Sequence, residues 1–269
     1  MRISSRPSPG ASPVDAGPRR ALRPGLHPGR FSLLAALLAG ALPGPLGAQS
    51  GETLDQGRFE IRIDGAVRGQ ESFAIRRQGA GIMAVGRLSR EGAGAWIGSA
   101  EVGLRTDGPG GPLRYEYRSL QRPVTRIIAT RTGRRIRITT NDPEGERMTE
   151  LAPDPGLVLL QPGVAHQYWF LVYRLRSSSG DALSTLDPRA ARTGPVQLLD
   201  RQDVALEGPD GEVRQAVLSE VRVDGTLHRV WTDAATDILL RVEIPERRWT
   251  AVRLPDRSEA ESLSPEEAP

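Results

Sequence analysis

From Gly57 onward the apolar side chains alternate with polar ones instead of recurring every three or four positions. A period of two confines such a chain to half-buried β-strands, because successive side chains of a strand point to opposite faces. In residues 58–64 (RFEIRID), Phe59, Ile61 and Ile63 share one phase, and Arg58, Glu60 and Arg62 share the other. Asp64 and Gly65 follow where a tight hairpin turn belongs, and both residue types tolerate the positive φ that such turns require. The alternation returns over residues 72–77, 81–90, 95–105, 113–120, 124–131, 135–140 and 147–151, interrupted by glycine-bearing breaks. Short connectors at this spacing predict an antiparallel meander with one packed and one solvated face.

Residues 164–176 (VAHQYWFLVYRLR) break the period. Val164, Tyr168, Leu171, Val172 and Leu175 fall at helical spacing, and Trp169, Phe170 and Tyr173 widen the apolar surface beyond one stripe. One helix is predicted here, covered on more than one side. Apolar segments at 157–160 and 183–188 flank it, and strands resume over 196–201, 213–223, 226–232, 238–244 and 249–254.

The first 48 residues read differently. An arginine-bearing stretch (Arg19, Arg20, Arg23, Arg30) precedes the uncharged apolar run 31–42, which is followed by Pro43, Pro45 and the small-residue site ending at Ala48. That is the layout of a secretory signal peptide, and the run is too short to span a bilayer. Residues 1–48 are expected to be cleaved after Ala48, giving a periplasmic or secreted protein with no transmembrane segment. Residues 49–56 are expected to be a flexible lead-in, 57–254 one domain, and the acidic, proline-bounded 255–269 a disordered tail. The leader holds six of the 36 basic residues and one of the 33 acids, so the remainder carries 30 and 32 and is slightly acidic. Phosphate binding needs a surplus of positive charge, which argues against a nucleic-acid partner. Cys is absent, so burial alone must stabilise an exported fold.

Chemistry-bearing residues are sparse. After the leader only His166 and His228 remain, no G-x-S-x-G elbow precedes a helix, and no thiol is available. Neither H-E-x-x-H nor C-x-x-C occurs, and the acidic stretch 141–146 lacks the ligand spacing of a calcium loop and reads as a hairpin turn. No catalytic residue, metal site or cofactor is therefore expected. Arg122, Arg126, Arg131, Arg134, Arg135 and Arg137 concentrate charge on one hairpin, read as a solvated strand face. Eight Trp and Tyr residues include the groups Tyr115/Tyr117 and Tyr168/Trp169/Tyr173, residue types that suit both cores and ligand pockets.

The closing residues 227–254 (LHRVWTDAATDILLRVEIPERRWTAVRL) carry Val230, Trp231 and Asp233, then Leu239 to Pro245, then Ala251, Val252 and Arg253. This pattern, with Gly65, Gly69 and Glu71 near the start of the domain, resembles exported bacterial proteins of the lipoprotein-localisation-factor superfamily. The resemblance implies a mainly β fold: a curved antiparallel half-barrel with one main helix packed on its concave face. The residue pattern points the same way, since a one-sided sheet needs an apolar cover and residues 164–176 are the segment able to provide it. Relatives of that shape hold acyl chains between sheet and helix. The expected function is thus non-catalytic binding of a lipid or acyl chain, with Trp96, Trp169, Tyr173 and Trp231 as pocket residues. The alternatives are an envelope protein-interaction or assembly module with a filled core, and an enzyme built on His166 or His228.

Overall fold

The computed structural model describes residues 51–90, 98–177 and 182–255. The leader, Trp96 and the acidic tail beyond Pro255 lie outside these residues.

Asp64 and Gly65 take φ of 53° and 78°, and Asp224 and Gly225 take 48° and 85°. Both dipeptides close two-residue hairpins, as Asp-Gly chemistry dictates. Antiparallel pairing of each strand with the next joins β1 (Thr53–Ile63), β2 (Ala66–Gln78), β3 (Gly81–Arg90), β4 (Ala100–Thr106), β5 (Pro112–Ser119), β6 (Arg126–Thr132), β7 (Arg135–Asp142) and β8 (Gly145–Leu151) into one meander. A second meander comprises β10 (Leu183–Asp187), β11 (Arg192–Glu207), β12 (Val213–Val223), β13 (Thr226–Asp233), β14 (Leu239–Ile244) and β15 (Trp249–Arg253). The two fuse where β15 pairs antiparallel with β1, Phe59 opposite Arg253 and Ile63 opposite Trp249. The result is a single curved, open sheet of 15 strands. One pairing departs from the antiparallel expectation: β9 (Leu157–Leu159) runs parallel to β10. That geometry requires a crossover, and the crossover contains the helix α1 (Tyr168–Ser177).

Strand alternation sorts the side chains as predicted. Phe59, Ile61, Phe73, Ile75, Leu104 and Tyr115 are buried on the inner face, in one core with Tyr168, Phe170, Leu171 and Val172 of α1. Thr53 to Gln56, expected in a flexible lead-in, belong instead to β1. They are held there because the Arg253 guanidinium pairs with the buried Asp55 carboxylate at 2.9 Å and donates to the Leu239 carbonyl at 3.2 Å. Gly57 leaves room for this arginine: a Cβ at that position would stand 2.8 Å from its Nη2.

The helix starts later than its periodicity predicts, at Tyr168 rather than Val164. Residues 164–167 form turns tied down largely by side chains: Glu71 accepts from the Ala165 and His166 amides, each at 2.8 Å, the Gln167 side chain accepts from the Gln161 amide at 2.6 Å, and the Val164 amide donates to the Gln161 carbonyl at 3.2 Å. Tyr168, Trp169 and Phe170 donate to the carbonyls three residues back, at Ala165, His166 and Gln167, so the lead-in is wound more tightly than an α-helix, and Glu71 takes first-turn amides that no helix would pair internally.

Candidate functional site

Trp169 and Tyr173 stand four residues apart on α1 and therefore on one face of it. Their rings stack in parallel, with centroids 5.2 Å apart and planes at 9°. Both are only partly buried and border a cleft of about 440 Å³ completed by Leu54 of β1, Val172, and Thr236 and Asp237 beyond β13. Arg176 forms an ion pair with Asp237 at its lip. At the other end of the ring stack, the Tyr173 hydroxyl and the Arg174 guanidinium donate to the Gly108 and Pro109 carbonyls, tying α1 to the loop between β4 and β5. The cleft thus has an apolar floor, an aromatic wall and one charged edge.

Of the four residues expected to line a pocket, Trp169 and Tyr173 come together there. Trp231 does not join them. In β13, His228, Val230 and Thr232 face the core, so Trp231 points to the opposite side of the sheet. There it packs with Ala216, Leu218 and Leu240 under the Arg241 guanidinium, 5.3 Å from its ring. Two adjacent apolar residues left the phase of β13 undecided in the sequence, and tertiary packing chose Val230 for the core.

The volume between α1 and the sheet, where an acyl chain would lie on the half-barrel expectation, is filled. Val164, Ala165, Tyr168, Phe170 and Leu171 have no exposed surface. A polar arrangement missed at the sequence level organises this filling. Glu71, fully buried on the inner face of β2, receives the His166 ring Nδ1 at 2.7 Å besides its two backbone donors. Burial opposes the charged form, but the hydrogen bonds and charge of His166 and the amide donors outweigh it, holding the carboxyl below its ordinary value. The imidazole lies flat against Phe73, centroids 6.0 Å apart, and over Gly86, whose missing side chain is the space it occupies. The signal for Glu71 was present: it is the one acid in the inward phase shared by Phe73 and Ile75.

His228 is engaged in another way. Its Nδ1 lies 2.6 Å from the Tyr168 hydroxyl, beside a cavity of about 50 Å³ bordered by Thr185, Asp187, Asp224 and Arg247. Such a space has room for a water molecule or two but not for a substrate. Burial, reinforced by the charge of Arg247, pushes His228 down to about 4 and Tyr168 is pushed up by burial. An unfolded histidine takes up its proton near the ordinary 6.5, before the folded one does. Stability is therefore expected to fall as pH drops from 6.5 toward 4, by about 3 kcal/mol for a gap of that size. Denaturant titrations between pH 7 and 4.5 check this: His228→Gln should flatten the slope, and an unaltered slope would show that the folded imidazole titrates normally.

The arginine-rich hairpin is largely neutralised. Arg135 and Arg137 meet Glu150 at 3.3 and 3.0 Å, Arg126 meets Glu116 at 3.6 Å and Arg131 meets Asp107 at 3.9 Å. In the acidic turn, Arg147 sits between Asp142 and Glu144. Among the described residues no helix is long and apolar enough to cross a membrane. No protein-family model, no curated protein and no solved structure matches the chain.

Proposed function

We propose that the chain is a non-catalytic, exported binding protein that holds an apolar molecule of acyl-chain type in the cleft beside Trp169 and Tyr173. The observation that carries the reading is the cleft itself. Its volume lies within the range of small-molecule sites; Leu54, Trp169, Val172 and Tyr173 give it an apolar side, and Arg176, Ser177, Thr236 and Asp237 a polar rim. Stacked aromatic rings offer a large apolar area at low conformational cost, and Arg176 at the lip, paired with Asp237, can turn its remaining donors to the anionic end of a fatty acid. The resemblance to lipoprotein-localisation factors supports the same ligand class, with the ligand moved from beneath the helix to its edge, because the space beneath is occupied by side chains.

Binding of a long-chain fatty acid, followed by Trp fluorescence and by native mass spectrometry of protein purified from an envelope fraction, tests this. Trp169→Ala combined with Tyr173→Ala is expected to weaken the affinity at least tenfold, about 1.4 kcal/mol, whereas Trp231→Ala should leave it unchanged. Equal loss from both variants, or no exchangeable ligand at all, overturns the proposal.

The filled inner face favours a second reading, an envelope interaction module acting through its surface. It predicts no bound lipid and a partner protein recovered by crosslinking in the native envelope.

A further inference from the structure

The outer face of β2 to β6 carries a broad depression of about 940 Å³, and strand register explains its layout. Three rows of side chains cross the strands. The middle row is small: Ala74, Val85 and Gly103 are aligned on β2, β3 and β4. A Cβ on Gly103 would meet nothing within 4 Å, and Val85 is 47 % exposed, so the floor is open and apolar. One flanking row sets Ser72, Arg87, Glu101, Arg118 and Arg126 in register, and the other sets Met83, Arg105 and Arg114 in register. Five arginines thus flank the trough, with Glu101 among them in the first row and Glu116, opposite Gly103, ending the apolar stretch of the middle row at β5. Glu116 serves both Arg114, at 2.6 Å, and Arg126, at 3.6 Å, and Glu101 reaches Arg118 at 3.8 Å. The walls keep a surplus of positive charge over an apolar floor, in a domain whose described chain is otherwise rich in paired charges.

The trough opens toward the point where the described chain stops. Leu254 donates to the Arg58 carbonyl at 2.8 Å, and the Arg58 guanidinium, on the outer face of β1, donates to the Pro255 carbonyl at 3.5 Å. Arg58 is paired with Ser72, the first residue of the arginine row. The chain therefore leaves at the head of the trough, on the same face. Beyond it come 14 residues, 256–269, with five acids (Asp256, Glu259, Glu261, Glu266, Glu267), one arginine, and Leu263 as the single large apolar side chain. At about 3.3 Å per extended residue they reach roughly 46 Å, while crossing from β2 to β6 takes only about 19 Å. The opposite direction is bordered by Glu207 and Asp210, and its arginines are already engaged, Arg214 by Asp210 and Glu212 and Arg241 by Glu243.

We propose that residues 256–269 dock in this trough in cis, their carboxylates against Arg87, Arg105 and Arg118 and Leu263 over the Val85 floor. A tethered segment has an effective concentration in the millimolar range, so weak charge-assisted contacts suffice to occupy the site. The tail then acts as a competitor for any extended acidic peptide of another protein.

The absence of Cys lets one label be placed cleanly. With a nitroxide on Ser262→Cys, the amide resonances of Val85, Gly103 and Glu116 are expected to broaden at low ionic strength. They should recover at ~0.5 M salt, where screening acts within about 4 Å, and in the exposed charge-reversal variant Arg87→Glu/Arg105→Glu/Arg118→Glu. A chain ending at Pro255 should bind a synthetic peptide of residues 256–269 at least tenfold more tightly than the full chain does. Three results overturn the proposal: no broadening, broadening indifferent to salt and charge reversal, or equal broadening when label and observed amides sit on separate molecules. So does equal peptide affinity of the two chains.

Discussion

Replacing Glu71 with alanine is expected to lower the stability of the domain by about 3–5 kcal/mol, the cost of leaving several fully buried donors without their acceptor. The loss would strand three donors at once: the Ala165 and His166 amides and the His166 ring, none of which can reach water from a fully buried position. For a domain of this size that corresponds to a fall in Tm of roughly 10 °C. Glu71→Gln keeps an acceptor in place and should cost less. Thermal unfolding followed by far-UV circular dichroism reads both, and a loss below about 1 kcal/mol for the alanine variant would show that the turn over residues 164–167 is held by packing alone. Because the folded carboxyl is held below its ordinary 4.5, its contribution is present above that pH and is lost as pH falls through the folded value. The dependence lies at lower pH than the one assigned to His228, so the two can be separated in one titration series.

Gly86→Val should be nearly as damaging by the opposite route. Even a Cβ there would stand 2.5 Å from His166 Cε1 and 2.8 Å from Nδ1. The imidazole cannot retreat, since Glu71 holds one edge and Phe73 covers a face. Overpacking at such a site costs about 1–3 kcal/mol and more where the neighbour is pinned, and the two further methyl groups of valine add to it. Gly86→Val combined with His166→Ala should recover part of the loss, because the second change empties the space that the first invades. If the double variant is no more stable than the sum of the single ones predicts, the clash is not with the ring.

Much of this architecture was legible from alternation. Phe59, Ile61 and Ile63 in one phase and Arg58, Glu60 and Arg62 in the other are what a sheet with one covered face requires, and the Asp-Gly pairs marked two of its hairpins. What escaped the sequence depended on partners far along the chain. Strand β11 runs on to Glu207 although alternation fades after Arg201, because β12 opposite it supplies the pairing through Val213. Leu239 and Leu240 look equivalent in sequence. A register shift in the β13–β14 pairing sends the first to the core and the second to the outer cluster with Trp231. The helix start was misplaced for a similar reason, since Glu71, more than ninety residues upstream, captures the amides of residues 165 and 166. Of the cleft, the aromatic wall was readable from helical spacing. Leu54 was not, because nothing local says that β1 passes beneath the end of α1.

The seam between β1 and β15 sets the order in which this molecule can be completed. Each meander can zip up from neighbour to neighbour as it is made, yet the first strand waits for a partner nearly two hundred residues later. Until β15 arrives, β1 shows an unmatched edge in the middle of what will be the sheet, the situation in which strands recruit wrong partners. Pairings so distant in sequence close slowly, since the entropy of the loop is spent before the contacts repay it. The continuity of the whole sheet thus rests on one long-range pairing, and a change that weakened it would uncover two strand edges at once.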